Sequence, residues 1–339
     1  MNVNVIGWYN RKNIGDEAFR PAIDKIFKHH NVTYITPPQD HTGPDLVVLG
    51  GGAVASPYYL EKLPLKNAAK RYALGIDLAY ESEGDLLAAA KFDGIYLRNK
   101  TDLDMWGGKF DCPVQSVPDL SFYLRPTGRD ILGTLGVGET DRKKVAVFPT
   151  DYVNPAIDRP VREFGSKAWN FAENTAKELD AMIEAGWDVY LLCCSTGGYG
   201  DDRRVVLNIA AFMKYPVRVV LDTWEPIEMI DFIAQMDLTV CQRFHAHLFS
   251  VIAGTPLVSW EYTRKVRIFL EELGIKHRIT GGRFDGERFC TRDMQAAVET
   301  ACSTAADTSR DFLQVSAKNR NLLAGVIQTI RQEWLREPA

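Results

Sequence analysis

Short apolar runs alternate with helix-period segments along nearly the whole chain, a pattern that leaves few folds open. Each run suits a buried strand and each intervening segment a covering helix, which is the sequence form of βαβ units and a parallel sheet. In the first half, strands are expected at Val3–Trp8, Val32–Ile35, Leu46–Leu49, Arg71–Gly75, Gly94–Leu97 and Val114–Val117, with helices over Asp16–Lys28, Glu83–Lys91 and Asn99–Trp106. The second half restarts with strands at Lys144–Phe148, Trp187–Cys194, Val217–Leu221, Leu238–Cys241 and Pro256–Ser259. Its helices are expected over Ala168–Ala185, Asp201–Lys214, Pro226–Gln235, Phe244–Ala253, Thr263–Leu273, Arg292–Ser303 and Arg310–Leu335.

Between Leu124 and Lys144, glycines and charges replace any periodic core face. The expected organisation is therefore α/β, with two Rossmann-like domains facing a cleft: residues 1–128, residues 140–309, and a helix over 310–339 placed to pack back across the junction. A chain of 339 residues, 46% hydrophobic and 25% charged, has the material for two such cores. In open α/β sheets, ligands bind at the carboxyl ends of the strands.

Charge and composition narrow the function. The chain carries 40 Lys and Arg against 44 Asp and Glu, a net charge of −4 with no block of one sign, which argues against nucleic acid or an anionic membrane as partner. Met-Asn-Val-Asn-Val-Ile-Gly at the start has no basic residue ahead of its apolar stretch, unlike a secretory signal. The longest stretch free of Asp, Glu, Lys and Arg, Phe244–Trp260, is shorter than the roughly 20 apolar residues of a membrane helix. The six cysteines form no CxxC pair and read as small buried hydrophobes. A cytoplasmic protein without a membrane span is expected.

Four places carry candidate chemistry. Asn13-Ile14-Gly15-Asp16-Glu17 stands where a loop meets a helix; Gly15 allows a tight turn and Asp16 is a good N-cap, so a plain helix start explains the segment as well as a ligand does. Gly50-Gly51-Gly52 after a buried strand leaves backbone N–H groups open to an anion or a sugar, although a tight turn accounts for it equally. Arg98 ends a strand, where a guanidinium can grip a carboxylate or phosphate; most isolated arginines are instead solvated or paired. Gln242-Arg243-Phe244-His245-Ala246-His247 leads from a strand into a helix, with Lys265 further on, and sets cations and a titratable imidazole beside helix N–H groups that favour anions. His247 is expected on a different side of that helix from His245. The glycine-rich turn Ser195–Asp202 is placed to line a cleft but reads more readily as a loop and helix cap, and Tyr152, Trp169 and Trp224 read as sugar-stacking or packing residues.

Together these segments resemble the polysaccharide pyruvyl transferase family. The resemblance rests on N-x-G-D-E at Asn13–Glu17, the triple glycine Gly50–Gly52, Gly75-Ile76, Arg98 after a strand, Asp119-Leu120-Ser121-Phe122, Arg243–His245, and the tail from Gly254 through Pro256 and Tyr262 to Lys265. These landmarks run in family order; after Arg98 the chain has Asn99 where the family often shows an acidic residue, and Thr101 where Ser is common. The resemblance implies a fold similar to GT-B glycosyltransferases and transfer of a pyruvyl group from phosphoenolpyruvate to a saccharide, forming a ketal and releasing phosphate. It implies that the first domain takes the acceptor and the second takes phosphoenolpyruvate. Arg98, Arg243 and Lys265 are then expected to hold the donor and His245 to move protons. Asp16 or Glu17 is expected to bind or deprotonate the acceptor hydroxyls, and Asn13, Gly15, Gly51 and Gly52 are expected to bind substrate. Nothing in this chemistry calls for a metal or a cofactor. Two other readings stay open on sequence: a GT-B glycosyltransferase using a nucleotide sugar, and an inactive saccharide-binding protein on the same fold.

Overall fold

The structure, a computed structural model, describes residues 1–37, 43–60, 70–78, 81–150, 164–197, 200–261, 263–275, 280–284, 289–290 and 294–335. The chain divides into two compact units, the first comprising Met1–Asn10, Gly15–Leu124 and Ser316–Ala339, the second Arg11–Ile14 and Arg125–Val315.

In the first unit, strands β1 (Asn2–Ile6), β2 (Asn31–Ile35), β3 (Leu46–Gly52), β4 (Lys70–Ile76), β5 (Gly94–Leu97) and β6 (Val114–Ser116) form one sheet in the order β2-β1-β3-β4-β5-β6. Every pairing in it is parallel. β3 is buried along its whole length, as a central strand covered on both faces must be. Chain order reverses between β1 and β3, so the carboxyl ends of these two strands form the crevice where such sheets take ligands. Helices α1 (Ile14–Glu17), α2 (Arg20–Ile26), α3 (Pro57–Leu60), α4 (Glu81–Ala89) and α5 (Lys100–Trp106) connect the strands. The single helix expected over Asp16–Lys28 is two. Pro21 in the first turn of α2 starts a new helix, and Asp16 lies inside α1 rather than capping it.

In the second unit, β7 (Lys143–Phe148), β8 (Trp187–Leu192), β9 (Arg218–Val220), β10 (Leu238–Cys241), β11 (Leu257–Glu261), β12 (Thr280–Phe284) and β13 (Phe289–Cys290) pair in the order β13-β12-β11-β10-β7-β8-β9. All pairings are parallel except that of β12 with β13. Its reversal point lies between β7 and β10. Helices α6 (Ile131–Thr134), α7 (Phe164–Glu184), α8 (Arg203–Phe212), α9 (Pro226–Ile233), α10 (Phe244–Ala253) and α11 (Arg264–Glu272) accompany it, followed by helices Met294–Ser303 and Ala305–Trp334. Buried Asp231 of α9 accepts hydrogen bonds from the Thr127 N–H (2.6 Å), the Gly128 N–H (3.1 Å) and the Thr127 hydroxyl, fixing the entry to this unit. Cys193, Cys194 and Cys241 are buried, and burial pushes the Cys193 and Cys241 thiols up to about 12, as expected of inert core cysteines.

The terminal helix Ala305–Trp334 ends on an aromatic cluster of the first unit. Trp334 stacks on Tyr72 (centroids 3.8 Å, 12° between planes), meets Tyr96 edge-on at 5.4 Å and is 1% exposed. Trp334→Ala is expected to destabilise this unit by about 3 kcal/mol. Urea unfolding followed by circular dichroism checks it, and a loss under about 1 kcal/mol would mean that the helix end is not held by this packing.

Among the described residues no helix is long and apolar enough to cross a membrane.

Candidate functional site

The reversal point of the second sheet collects the Gln242–His247 segment. β10 ends at Cys241, the Gln242 N–H donates to the Phe148 carbonyl at the end of β7 (3.2 Å), and the Gln242 side-chain oxygen accepts the Thr150 N–H (2.7 Å). The two strand ends are thus clamped. Arg243 then takes an extended N-cap conformation (φ −63°, ψ 137°) and α10 begins at Phe244, directing its first free N–H groups toward the strand ends.

His245 and Lys265 meet around one ring. The Phe244 ring lies edge-on to the His245 ring at 5.1 Å, has Lys265 Nζ 5.7 Å from its centre, and packs on Phe269 of α11 at 5.3 Å. His245 and Lys265 are half-buried, which suits groups that must reach a ligand. α10 ends at Gly254 in the left-handed region (φ 76°), and a Cβ there would come within 2.7 Å of Leu313. The glycine is therefore required twice over, by conformation and by the packing of the terminal helix. Tyr262 lies outside the described residues.

Arg243 does not reach outward. Its guanidinium donates to both carboxylate oxygens of Asp202 (2.5–3.1 Å) and to the Gly200 carbonyl, and Asp202 also accepts the Cys194 and Ser195 N–H groups at 3.0 Å each. Asp202 is fully buried; burial pushes its carboxyl up, against the opposing pull of Arg243. Arg243 positions the turn after β8, and its charge is neutralised by an aspartate 41 residues away in sequence. Asp202 precedes α8 without capping it, because its carboxylate is turned back onto the strand end. Asp202 and Thr150 are the residues that sequence reasoning missed as parts of this site; the only available signal was the strand-end position of the Ser195–Asp202 turn.

Asn13 belongs to the second unit, bridged to Ser195, while the Thr196 N–H donates to the Lys12 carbonyl (2.9 Å) and the Ile14 N–H to the Cys194 carbonyl (3.0 Å). This local pairing holds Lys12–Ile14 to the end of β8. Ser195 and Thr196 are 2% and 5% exposed, and their hydroxyls have no hydrogen-bond partner among the described residues.

His247 is a core residue. Its Nδ1 lies 2.9 Å from the Arg243 carbonyl and its Nε2 2.8 Å from the Ser259 hydroxyl, and burial lowers its pKa from 6.5 to about 4. Between these two values the unfolded chain binds a proton that the folded chain refuses, so stability is full above the unfolded value and falls as the pH drops toward 4. The expected loss is about 3 kcal/mol, absent in His247→Gln. Chemical denaturation of both proteins across this range checks it; identical pH profiles would remove His247 as the cause.

In the first unit, Arg98 at the end of β5 is 8% exposed and held between two buried carboxylates, Asp77 (2.5 Å) and Asp119 (3.1 Å). Asp119 also accepts the Ser121 N–H (2.8 Å), and burial pushes its carboxyl up while Arg98 pulls it down. Here the guanidinium is shared by two carboxylates rather than turned outward. With two carboxylates on it, Arg98 carries no net positive charge to offer, and it ties β4, β5 and the turn at Asp119 together. Gly75 (φ 67°) completes the arrangement, since a Cβ there would lie 2.9 Å from Leu120.

The triple glycine is a packing device as well as a turn. A Cβ on Gly51 (φ 79°) would fall 2.0 Å from the Phe19 ring, and the Gly50 carbonyl accepts the Tyr9 hydroxyl at 2.7 Å. At Gly52 (φ 79°), a Cβ would lie 3.5 Å from an Asp16 carboxylate oxygen, which places Asp16 over the glycine turn at the reversal point of this sheet. Glu17 is engaged elsewhere: one oxygen accepts the Asn10 N–H (2.6 Å) and the other pairs with Arg20 (2.8 Å). These bonds tie Glu17 to Asn10 and to the start of α2. Tyr152 and the side chain of Trp169 lie outside the described residues, and Trp224 packs edge-on to Phe232 at 5.1 Å.

With the geometry in place, comparison with known proteins identifies the class. Two Rossmann-like units of parallel sheet are the GT-B type of α/β fold. The structure is similar to a Staphylococcus aureus MnaA–UDP complex (TM-score 0.58, 10% identity, 93% of this chain and 90% of that one). It is likewise similar to a trehalose-6-phosphate protein from Escherichia coli bound with UDP-2-fluoro glucose (0.59, 9%, 98% and 99%) and to the spinosyn rhamnosyltransferase SpnG (0.55, 12%, 97% and 100%). At these identities the likeness is one of fold.

Residues 13–263 match the polysaccharide pyruvyl transferase family, and the chain belongs to that family of transferases. It is also 33% identical over 104 residues to the amylovoran biosynthesis protein AmsJ of Erwinia amylovora, a match spanning 29% of this chain and 25% of that protein.

Proposed function

We propose that this transferase moves the enolpyruvyl-derived group of phosphoenolpyruvate onto two hydroxyls of a saccharide, forming a ketal and releasing phosphate in the cytoplasm. The observation that carries this reading is the meeting of His245 and Lys265 around Phe244, at the N-terminus of α10 and at the reversal point of its sheet. A helix N-terminus and an ammonium attract the phosphate and carboxylate of the donor. The imidazolium of His245 gives its proton to the methylene carbon, which becomes a methyl group and leaves an oxocarbenium-like centre at the adjacent carbon. The first sugar hydroxyl bonds to that centre and its proton returns to His245. The phosphate C–O bond then breaks, the second hydroxyl adds, and its proton leaves on the phosphate. In the first unit, Asp16 rather than Glu17 is the candidate to orient an acceptor hydroxyl, near Gly51 and Gly52. Arg98 and Arg243 remain the arginines assigned to the donor side, and Asn13 and Gly15 are assigned to substrate binding with them. The reading assigns no cofactor and leaves the acceptor sugar and the bridged positions to experiment.

Thermal denaturation with added phosphoenolpyruvate, beside a panel of nucleotide sugars, tests the donor. Ligand at about 100 times its Kd should add about 2.7 kcal/mol to the folded state. A saturable rise in Tm with phosphoenolpyruvate, reduced in Lys265→Ala, is the expected result. A rise with nucleotide sugars alone would move the assignment to glycosyl transfer, and no rise with either would favour a saccharide-binding protein.

A further inference from the structure

A groove of about 560 Å³ lies within the first unit between α2 with the following loop and the terminal helix, in the volume range of small-molecule sites. The terminal helix supplies Ile327, Gln328, Arg331 and Gln332, which its turn spacing sets on one face, and the other wall supplies Lys25 and His30. Three basic side chains and two amides thus line the groove, and no described carboxylate does. In a chain with more acidic than basic residues that is an unbalanced surface. No described acidic group pairs with Lys25 or Arg331. Positive potential already stands at His30, whose pKa is lowered by burial first and then by the N-terminal amine, His29 and Arg331. Buried Ile327 lines the groove with an apolar side chain, and an anion entering beside it would meet the positive potential of Lys25 and Arg331.

We infer that this groove is a second binding site, for an anionic saccharide whose acidic group meets Lys25, His30 and Arg331 and whose hydroxyls meet Gln328 and Gln332. The saccharide half of this inference rests on membership of the family, while the site itself stands whether or not phosphoenolpyruvate is the donor. None of the residues assigned to the transfer chemistry lines the groove.

The test titrates the full chain with trigalacturonate, with glucose 6-phosphate and with neutral galactotriose, by calorimetry and by the imidazole proton resonance of His30, assigned through its absence in His30→Gln. Binding of either acidic sugar, with movement of the His30 signal and no binding of galactotriose, is the expected result. Trigalacturonate alone would identify a carboxylated ligand, and glucose 6-phosphate alone a phosphorylated one. The double variant Lys25→Gln/Arg331→Gln alters two surface side chains and should weaken binding about tenfold or more, as the loss of two charge-assisted contacts requires. Its Tm and its response to phosphoenolpyruvate should match those of the parent. Equal binding of galactotriose, no binding of either acid, or undiminished binding by the double variant would overturn the inference. Because the phosphoenolpyruvate response is measured in the same samples, failure of the groove and failure of the donor assignment are told apart.

Discussion

Arg98→Ala is expected to destabilise the first unit by about 5 kcal/mol, before any effect on ligand binding is considered. The guanidinium is 8% exposed and is shared by Asp77 and Asp119, which are themselves 5% and 4% exposed. Removing it strands two carboxylates in a medium that already pushes the Asp119 carboxyl up, and at least one must take a proton or draw in water. The first-unit transition in urea should move to markedly lower denaturant. Arg98→Lys should recover only part of the loss, because one ammonium cannot reproduce a fork that spans two carboxylates. A variant of native stability that had lost its response to phosphoenolpyruvate would return Arg98 to direct contact with the donor.

The same residue shows how far a sequence could be read here. That Arg98 ends a strand was legible, because β5 is a plain apolar run between turn residues. Its partners were not, since Asp119 is 21 residues away and the pairing depends on which strands become neighbours. Arg243 repeats the case at a separation of 41 residues. In both cases the neutralising carboxylate stands in another segment, Asp119 in a landmark of its own and Asp202 in the glycine-rich turn after β8.

The strands were readable wherever burial on both faces left an apolar run, as along β3, β7 and β10. β12 escaped notice because Thr-Gly-Gly-Arg-Phe has no such run; it is a strand through its pairing with β11, a tertiary cause. The terminal helix begins at Ala305, five residues before the expected Arg310, since Ala305–Ser309 carries no apolar periodicity strong enough to mark the start. The triple glycine reads equally as a tight turn and as open backbone toward a ligand, and Gly75 stands out only through the family resemblance. Gly51 and Gly75 admit the side chains of Phe19 and Leu120, a requirement visible only once the partners are placed.

His245→Ala should lower kcat by about 10²–10⁴-fold with little change in KM for phosphoenolpyruvate, the size of effect expected when a proton donor is lost and binding groups remain. The argument turns on the difference between the two histidines of α10. His247 has both ring nitrogens engaged and a pKa lowered to about 4, so at neutral pH it has no proton to give. His245 is half-buried beside Phe244 and shares that ring with Lys265, so it is the imidazole placed where an anionic donor would be drawn. Lys265→Ala should show the opposite split, raising KM more than it lowers kcat, because an ammonium that holds the donor acts in ground state and transition state alike. Steady-state phosphate release from the two variants separates these roles. If His245→Ala kept full turnover, the proton transfers would have to be assigned to a group other than His245 and also other than His247, whose two ring nitrogens are engaged.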